Sequence, residues 1–386
     1  MIRDAGILDA FLAQLRRFVE ERLIPHEAEV AESDRIPPGI VSEMRAMGLF
    51  GMSVPEEFGG LGLTMEEEVR VAFEFARTSP AFRSLVGTNN GIGSQGLVMD
   101  GTPEQKAKYL PRLASGEIVG SFALTEPDVG SDAGSLKTRA TRSASGWVLN
   151  GTKRYITNAP HAGLFTVFAR TNPGIKGAGG VSAFLVEGGT PGLKLGKIDR
   201  KMGQRGAHTC DVIFEDCEVP ADAILGGPDC EGKGFKTAMK VLDRGRLHIA
   251  AVCVGAAERL IEESLRYAME RRQFGQPIAE FQLIQAMLAD SKAEAYAGRC
   301  MVLESARAKD DGRSVATEAA ACKLFCSEMV GRVADRAVQI HGGAGYIQEY
   351  AVERFYRDVR LFRIYEGTTQ IQQLVIARNM IKGARP

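Results

Sequence analysis

The spacing of apolar positions changes twice along the chain, and these changes divide it into three regimes. From Ile7 to about Gly116 apolar residues recur at helical intervals, as in Ile7, Leu8, Phe11, Leu12, Leu15, Phe18 and Val19. Pro37, Pro38, Pro55 and the Gly59–Gly60 pair cut that stretch into short helices. Thr102-Pro103-Glu104-Gln105 reads as a helix start, with Thr as N-cap, Pro in the first turn and Gln at the third position. From Ile118 to about Leu225 the period falls to two. Residues 119–125, 147–150, 164–169, 181–186 and 211–214 read as strands, with Gly, Asn and Pro between them. No helix-length stretch interrupts them, which predicts an antiparallel β unit and not a βαβ unit. Beyond a Gly/Pro stretch (Gly226, Gly227, Pro228, Gly232, Gly234), Phe235–Arg272 carries helical spacing over roughly 57 Å of unbroken helix. Phe281–Asp310 and Val315–Ile340 follow after short connections, and Gln370–Met380 closes the chain. The expected fold class is α+β: an N-terminal α-helical domain (1–117), a middle antiparallel β domain (118–228) and a C-terminal four-helix bundle (229–386).

Composition narrows the function. At 386 residues the chain has room for two or three packed units. Lys+Arg and Asp+Glu balance at 48 each, which argues against a nucleic-acid partner but leaves room for a small phosphorylated ligand. Seven scattered cysteines without a CxxC pair indicate free thiols and not a disulfide frame. Five histidines without HExxH or a Cys/His cluster predict no metal site. The first twenty residues lack a signal-peptide core, and no apolar run reaches 18 residues, so no membrane span is expected. The expected compartment is the cytoplasm, or the mitochondrial matrix for a processed chain.

Two motifs point elsewhere and fail on context. Gly91-Ile-Gly93-Ser-Gln-Gly96 matches the dinucleotide fingerprint GxGxxG but sits in the helical region with no βαβ pattern around it. Gly227–Gly234 nearly matches a phosphate-binding loop, yet Gly234 stands where a Mg²⁺-binding Ser or Thr belongs. His248 and His341 have no partner at metal-ligand spacing and read as structural.

Three segments are hard to explain as packing. Phe122-Ala-Leu-Thr-Glu-Pro-Asp-Val-Gly130-Ser131-Asp132 begins as an apolar strand and ends in a polar turn, whose freed N–H groups suit a polar ring or a phosphate. An ordinary β-turn is the competing reading. In Tyr155-Ile-Thr-Asn158, alternation puts Tyr155 and Thr157 on one strand face. Ile364-Tyr-Glu-Gly-Thr-Thr-Gln370 follows four arginines and sets a carboxylate beside an aromatic, with Gly367 allowing close backbone approach. Glu366 in isolation would read as a solvated loop residue.

Together, and in this order, these segments resemble the acyl-CoA dehydrogenase family. The resemblance spans essentially the whole chain: Pro-Glu-Glu-Phe-Gly-Gly at 55–60, Leu-Thr-Glu-Pro at 124–127 and Asn-Gly-x-Lys-x-x-Ile-Thr-Asn at 150–158. It continues through Phe214–Pro220, Arg271-x-Gln-Phe-Gly275, Gln339-Ile-His-Gly-Gly-Ala-Gly345 and Tyr365-Glu-Gly-Thr368. The resemblance implies FAD as cofactor. Phe122, Leu124, Thr125, Gly130, Ser131, Tyr155, Ile156 and Thr157 are expected at the flavin ring, with Thr125 and Thr157 bonding its polar edge. Thr368 and Gln370 are expected on the pyrophosphate and ribose. Arg271, Phe274, Gln282, Gln339, Ile340, Gly342 and Gly343 are expected to reach the FAD of a neighbouring subunit, within a homotetramer built as a dimer of dimers. Ser131, Asp243, Arg246, Tyr365, Gly367 and Arg378 match substrate or CoA positions. The family often has Tyr and Trp where this chain has Phe122 and Tyr155, a departure that bears on flavin stacking.

The reaction so implied is α,β-desaturation of an acyl-CoA, as in fatty-acid β-oxidation, with electrons passed to an electron-transfer flavoprotein. Glu366 is expected to act as the base, its pKa raised by burial. Some relatives place the base on the long bundle helix, at a position matching Gly245 here, which has no carboxylate. Glycines 87, 91, 93 and 96 fall in the segment matching the acyl-pocket floor. Read as missing side chains they favour medium or long straight chains over short or branched ones; read as helix-packing residues they say nothing of chain length. The rival functions are an acyl-CoA oxidase using O₂ and a non-catalytic flavin- or DNA-binding relative, which net charge zero argues against.

Overall fold

The computed structural model describes residues 2–385. Helices α1 (Ala5–Phe18), α2 (Glu27–Ser33), α3 (Pro38–Ala46), α4 (Met65–Phe75), α5 (Pro80–Thr88), α6 (Gln95–Asp100) and α7 (Pro103–Ala114) come first. A π-helical turn, Asn89–Gly93, links α5 to α6. Both α4 and α7 open on reciprocal capping boxes, Thr64 with Glu67 and Thr102 with Gln105, each satisfying two otherwise unpaired N–H groups. The core of this part joins Leu15, Phe18 and Leu23 to Phe50, Phe75 and Phe82.

Strands β1 (Val119–Ala123), β2 (Arg139–Arg142), β3 (Gly146–Thr157), β4 (Ala162–Arg170), β5 (Val181–Glu187), β6 (Leu193–Leu195) and β7 (Thr209–Pro220) form one sheet, ordered β1-β4-β2-β3-β7-β6 with β5 beside β4. The sheet is mixed, which corrects the antiparallel expectation. β1 runs parallel to β4, pairing Phe122 with Thr166, and Arg139 of β2 bridges Arg170 in the parallel sense. Parallel neighbours need a long crossover, ordinarily a helix; here the β2–β3 hairpin supplies it. The same placement explains why β1 and β5 alternate poorly: each is covered on both faces. One face meets Leu110, Leu113 and Val241, the other Trp147, Leu149 and Phe214.

Helices α8 (Gly234–Glu270), α9 (Gln282–Asp310) and α10 (Ala316–His341) pack on one another, α11 (Ala351–Val359) and α12 (Thr369–Gly383) close the bundle against α10, and α4 lies along α8. Residues Ile249–Ala257 of α8 are all buried, so this helix is the hub. At Gly255 a Cβ would stand 2.2 Å from the Phe73 carbonyl oxygen, so α4 approaches as closely as a bare backbone permits. Buried Glu27 on α2 bonds Arg354 on α11 at 2.6 Å and lies 3.5 Å from Arg259 on α8, tying the first helices to the bundle. No helix among the described residues is long and apolar enough to cross a membrane.

Candidate active site

Glu366 sits on the loop between α11 and α12 with φ of 53°, followed by Gly367 at 90°. Two left-handed residues in succession turn the backbone sharply and push the Glu366 side chain back toward α8. The conformation is held from behind. The Nζ of fully buried Lys323 donates to the Gly367 carbonyl at 2.7 Å, and the Gln372 amide donates to the carbonyls of both Glu366 (3.0 Å) and Gly367 (3.1 Å). Burial lowers the Lys323 pKa to about 8.

The carboxylate enters space that α8 leaves open. A Cβ on Gly245 would lie 2.3 Å from Glu366 Oε2 and 3.1 Å from its Cδ. Oε2 is enclosed and has no hydrogen-bond partner among the described residues. Burial raises the Glu366 pKa, against the opposing charges of Arg83, Lys323 and Arg246. None of the three cations forms an ion pair with it among the described residues. Arg246 donates to Asp243 at 2.5 Å, and its Nε is buried without an acceptor. Burial pushes the Asp243 carboxyl up despite that guanidinium. Tyr365 packs on Phe362, with ring centroids 5.9 Å apart. A small cavity touches this point, lined by Met52, Glu68, Gly87, Gly91, Gly245 and His248 among others.

A second group lies at the ends of β1 and β3. Ser121 donates to the Thr157 carbonyl at 2.6 Å, and Arg154 N–H donates to the Thr125 carbonyl at 2.8 Å, so the two polar segments are neighbours. Tyr155 adopts φ of 58° where the β3–β7 register shifts between Lys153 and Ile156. The pairing is therefore irregular ahead of Ile156: Tyr155 is turned out, 64% exposed, while Ile156 is buried and Thr157 half-buried. Phe122 and Leu124 are buried, Phe122 against Phe168 at 4.8 Å, and Thr125 is half-buried. Gly130 and Ser131 are exposed, and nothing lies within 4 Å of a Cβ built on Gly130. Glu126 braces the turn by accepting from Lys137 N (2.6 Å), Thr138 N (2.9 Å) and the Nζ of Lys153 (2.8 Å).

A third group is remote from Glu366. Arg271 caps the C-terminus of α8, 26 residues beyond Gly245, or about 39 Å along the helix. Phe274, 95% exposed, Gln282, Gln339, Gly342 and Gly343 share that end of the bundle, where Ile340 packs beside Ala268 and Ile278. These residues and Glu366 cannot meet one isoalloxazine within a single chain. Thr368 caps α12 by accepting from Ile371 N–H at 3.3 Å, and Gln370 is exposed on its first turn. Arg378 is exposed about two and a half turns further on and is not brought to Asp243 and Arg246.

Of the two discarded motifs, Gly91–Gly96 straddles the π-turn and α6, with no strand before it, and Gly93 packs on the Gly120 backbone at 2.8 Å from its would-be Cβ. The Gly227–Gly234 stretch is a 3-10 turn leading into α8. Sequence reasoning missed Arg83, Lys323 and Gln372, whose only local signal is a polar residue within an apolar helical pattern, and gave no role to Glu126 or Lys153.

The residues present fit a flavin and a thioester. An exposed Tyr155 ring and an open Gly130 turn stand beside the buried Phe122 edge, and an enclosed carboxylate oxygen lacks a hydrogen-bond partner among the described residues. Family profiles agree over the length of the chain: acyl-CoA dehydrogenase N-terminal domain at residues 8–117, middle domain at 121–217 and C-terminal domain at 232–381. The chain belongs to the acyl-CoA dehydrogenase family and is an FAD-dependent oxidoreductase of that family. It is 44% identical over 369 residues to the acryloyl-CoA reductase (NADH) of Anaerotignum propionicum, covering 95% of this chain and 92% of that one. It is 41% identical over 368 residues to the caffeyl-CoA reductase–Etf complex subunit CarC of Acetobacterium woodii, covering 95% and 96%. The butyryl-CoA dehydrogenase structure from Megasphaera elsdenii superposes with a TM-score of 0.94 at 35% identity, covering 99% of this chain and all of that one.

Proposed function

We propose that the protein desaturates a short acyl-CoA thioester between its α- and β-carbons, with Glu366 as the base. The observation that carries this reading is the Glu366 Oε2, enclosed, without a partner, and seated in the space left by Gly245. An α-proton beside a thioester is too weakly acidic to leave unless charge on the carbonyl oxygen is stabilised. The positive φ of Glu366 and Gly367 frees their N–H groups from the helix ladders and leaves them available for that oxygen. Gln372 holds the Glu366 carbonyl, on the other side of the peptide that carries the Gly367 N–H, and with Lys323 it holds the Gly367 carbonyl, so the turn keeps its direction without a moving part. FAD, when bound, accepts the hydride lost from the β-carbon. The two substrate C–H bonds break, the proton goes to the Glu366 carboxylate, and a C=C bond forms.

Glu366 must be ionised to act. Burial raises its pKa and so strengthens it as a base, while three nearby cations keep that rise in check. Phe122, Leu124, Thr125, Gly130, Ser131 and Tyr155 to Thr157 form the shelf we assign to the ring, and Thr368 and Gln370 the start of α12 we assign to the pyrophosphate. Asp243 and Arg246 face the thioester arm; the exposure of Arg378 on α12 leaves it to the outer part of CoA.

Three further assignments rest on particular observations. Short acyl groups are favoured because Gly87 and Gly93 are used for close contacts with Arg83 and the Gly120 backbone, Gly96 faces Leu225, Thr237 and Val241, and only Gly91 of the four opens onto space. Assembly into a homotetramer is supported by the separation of Arg271, Phe274, Gln282 and residues 339–343 from Glu366, and by the exposure of Phe274 and Tyr346 at that end. An electron-transfer flavoprotein as acceptor is supported by the Etf-complex relative. Anaerobic titration of the FAD-loaded protein with butyryl-, octanoyl- and palmitoyl-CoA tests the reaction. The flavin band should bleach with butyryl-CoA, and Glu366→Gln should bind it without bleaching; rapid bleaching by the variant would reassign the base. Steady H₂O₂ formation in air would favour an oxidase instead.

A further inference from the structure

Arg83 on α5 is 6% exposed, and its one side-chain hydrogen bond among the described residues runs from Nε to Nε2 of His248 at 3.1 Å. Its terminal nitrogens have no acceptor among the described residues, and no carboxylate lies within ion-pair distance. A buried guanidinium is always charged, and leaving it unpaired is costly. The fold nevertheless fixes its direction. Gly87, one turn along α5, lies so close that a Cβ there would stand 2.6 Å from Nε and 3.1 Å from one terminal nitrogen. His248 Nε2 accepts the hydrogen bond from Nε–H, which sets the plane of the guanidinium and leaves its outer fork free. Burial and the Arg83 charge hold His248 well below the ordinary histidine range, so it is a neutral acceptor and not a competing cation.

Gly87 and His248 line the same cavity as Gly245, the residue against which the Glu366 carboxylate rests. The other charges there are already matched: Arg244 is paired with Glu68. Arg83 offers, near Glu366, a buried guanidinium with no carboxylate bonded to it among the described residues. We infer that the pocket takes short acyl thioesters ending in a carboxylate, which the free fork of Arg83 binds in a bidentate pair. This rests on the desaturation proposed above and names its substrate class. The Glu68–Arg244 pair lines the same cavity.

The test compares glutaryl-CoA with pentanoyl-CoA, which share the five-carbon acyl length and differ in the terminal group. Calorimetry on FAD-loaded Glu366→Gln protein reads binding without turnover. Glutaryl-CoA should bind at least about tenfold more tightly, as a buried charge-assisted pair implies. The preference should vanish or invert on adding Arg83→Gln and survive in part with Arg83→Lys. Equal or tighter binding of pentanoyl-CoA overturns the inference, and this comparison needs no Arg83 variant to fold. Anaerobic flavin bleaching of the wild-type holoenzyme separates the two claims. Bleaching by pentanoyl-CoA and not by glutaryl-CoA refutes the carboxylate pocket and leaves desaturation standing. Tighter binding of glutaryl-CoA with no bleaching by either thioester refutes desaturation and leaves the pocket standing.

Discussion

Adding one methyl group at Gly245 should separate stability from catalysis. A Cβ there would lie 2.3 Å from Glu366 Oε2, whereas uncrowded heavy-atom contacts fall near about 3.5 Å. One of the two must yield by about 1 Å. The backbone of α8 is locked in a buried run from Gly245 to Leu247, while the carboxylate is the far end of a flexible side chain, so the carboxylate moves. The energetic cost of that rotation is small, and alanine is the better helix former by about 1 kcal/mol. Gly245→Ala should therefore melt within a few degrees of wild type, or above it. The rate should behave differently. A misplacement of about 1 Å at a reacting group costs on the order of 10²-fold. Rapid mixing of the FAD-loaded variant with butyryl-CoA under anaerobic conditions, followed at the flavin band, reads that rate directly. Bleaching within about threefold of wild type would refute the claim that the carboxylate occupies this space when it works. A variant that fails to retain FAD would refute the claim that the clash is confined to one side chain.

Glu366→Gln should also stabilise the protein in a pH-dependent way. The folded pKa is raised above 4.5, so the folded state holds its proton longer than the unfolded chain, and wild-type stability falls as pH rises from about that value. The melting temperature of the variant relative to wild type should increase between about pH 5 and pH 8; a constant difference would contradict the raised pKa. Lys323→Met removes the donor to the Gly367 carbonyl and should slow bleaching by about tenfold or more while FAD content is unchanged, with an unaltered rate counting against a positioning role. Glu27→Ala leaves Arg354 and Arg259 without their buried counter-ion and should cost about 3–5 kcal/mol in urea unfolding. A loss under about 1 kcal/mol would show that the α2–α11–α8 link is not structural.

Local patterns carried most of the architecture. The Thr102–Gln105 capping box is contiguous in sequence, and it stands where the pattern put it. Helices expected at 281–310 and 315–340 run from Gln282 to Asp310 and from Ala316 to His341. What failed was non-local. The parallel pairing of β1 with β4 depends on how an intervening hairpin crosses, which no period-two pattern encodes. The outward turn of Tyr155 depends on a positive φ at a residue that is not glycine, so no turn-forming residue announced it. Gly245 and Glu366 are 121 positions apart, and their fit is a matter of one missing methyl group meeting one carboxylate. Motif resemblance could point to both residues, but not to their contact.

The charges around Glu366 show why the missed residues matter. A buried carboxylate needs nearby positive charge to be ionised, yet a cation that bonds it directly would lower its basicity and block its approach to substrate. Here each cation is held off by another acceptor: Lys323 by the Gly367 carbonyl, Arg246 by Asp243, Arg83 by His248. The carboxylate thus feels three charges and bonds to none. Removing any of those three acceptors should free a cation to swing onto Oε2, so His248, Asp243 and the Gly367 carbonyl protect the base by keeping its counter-charges at a distance.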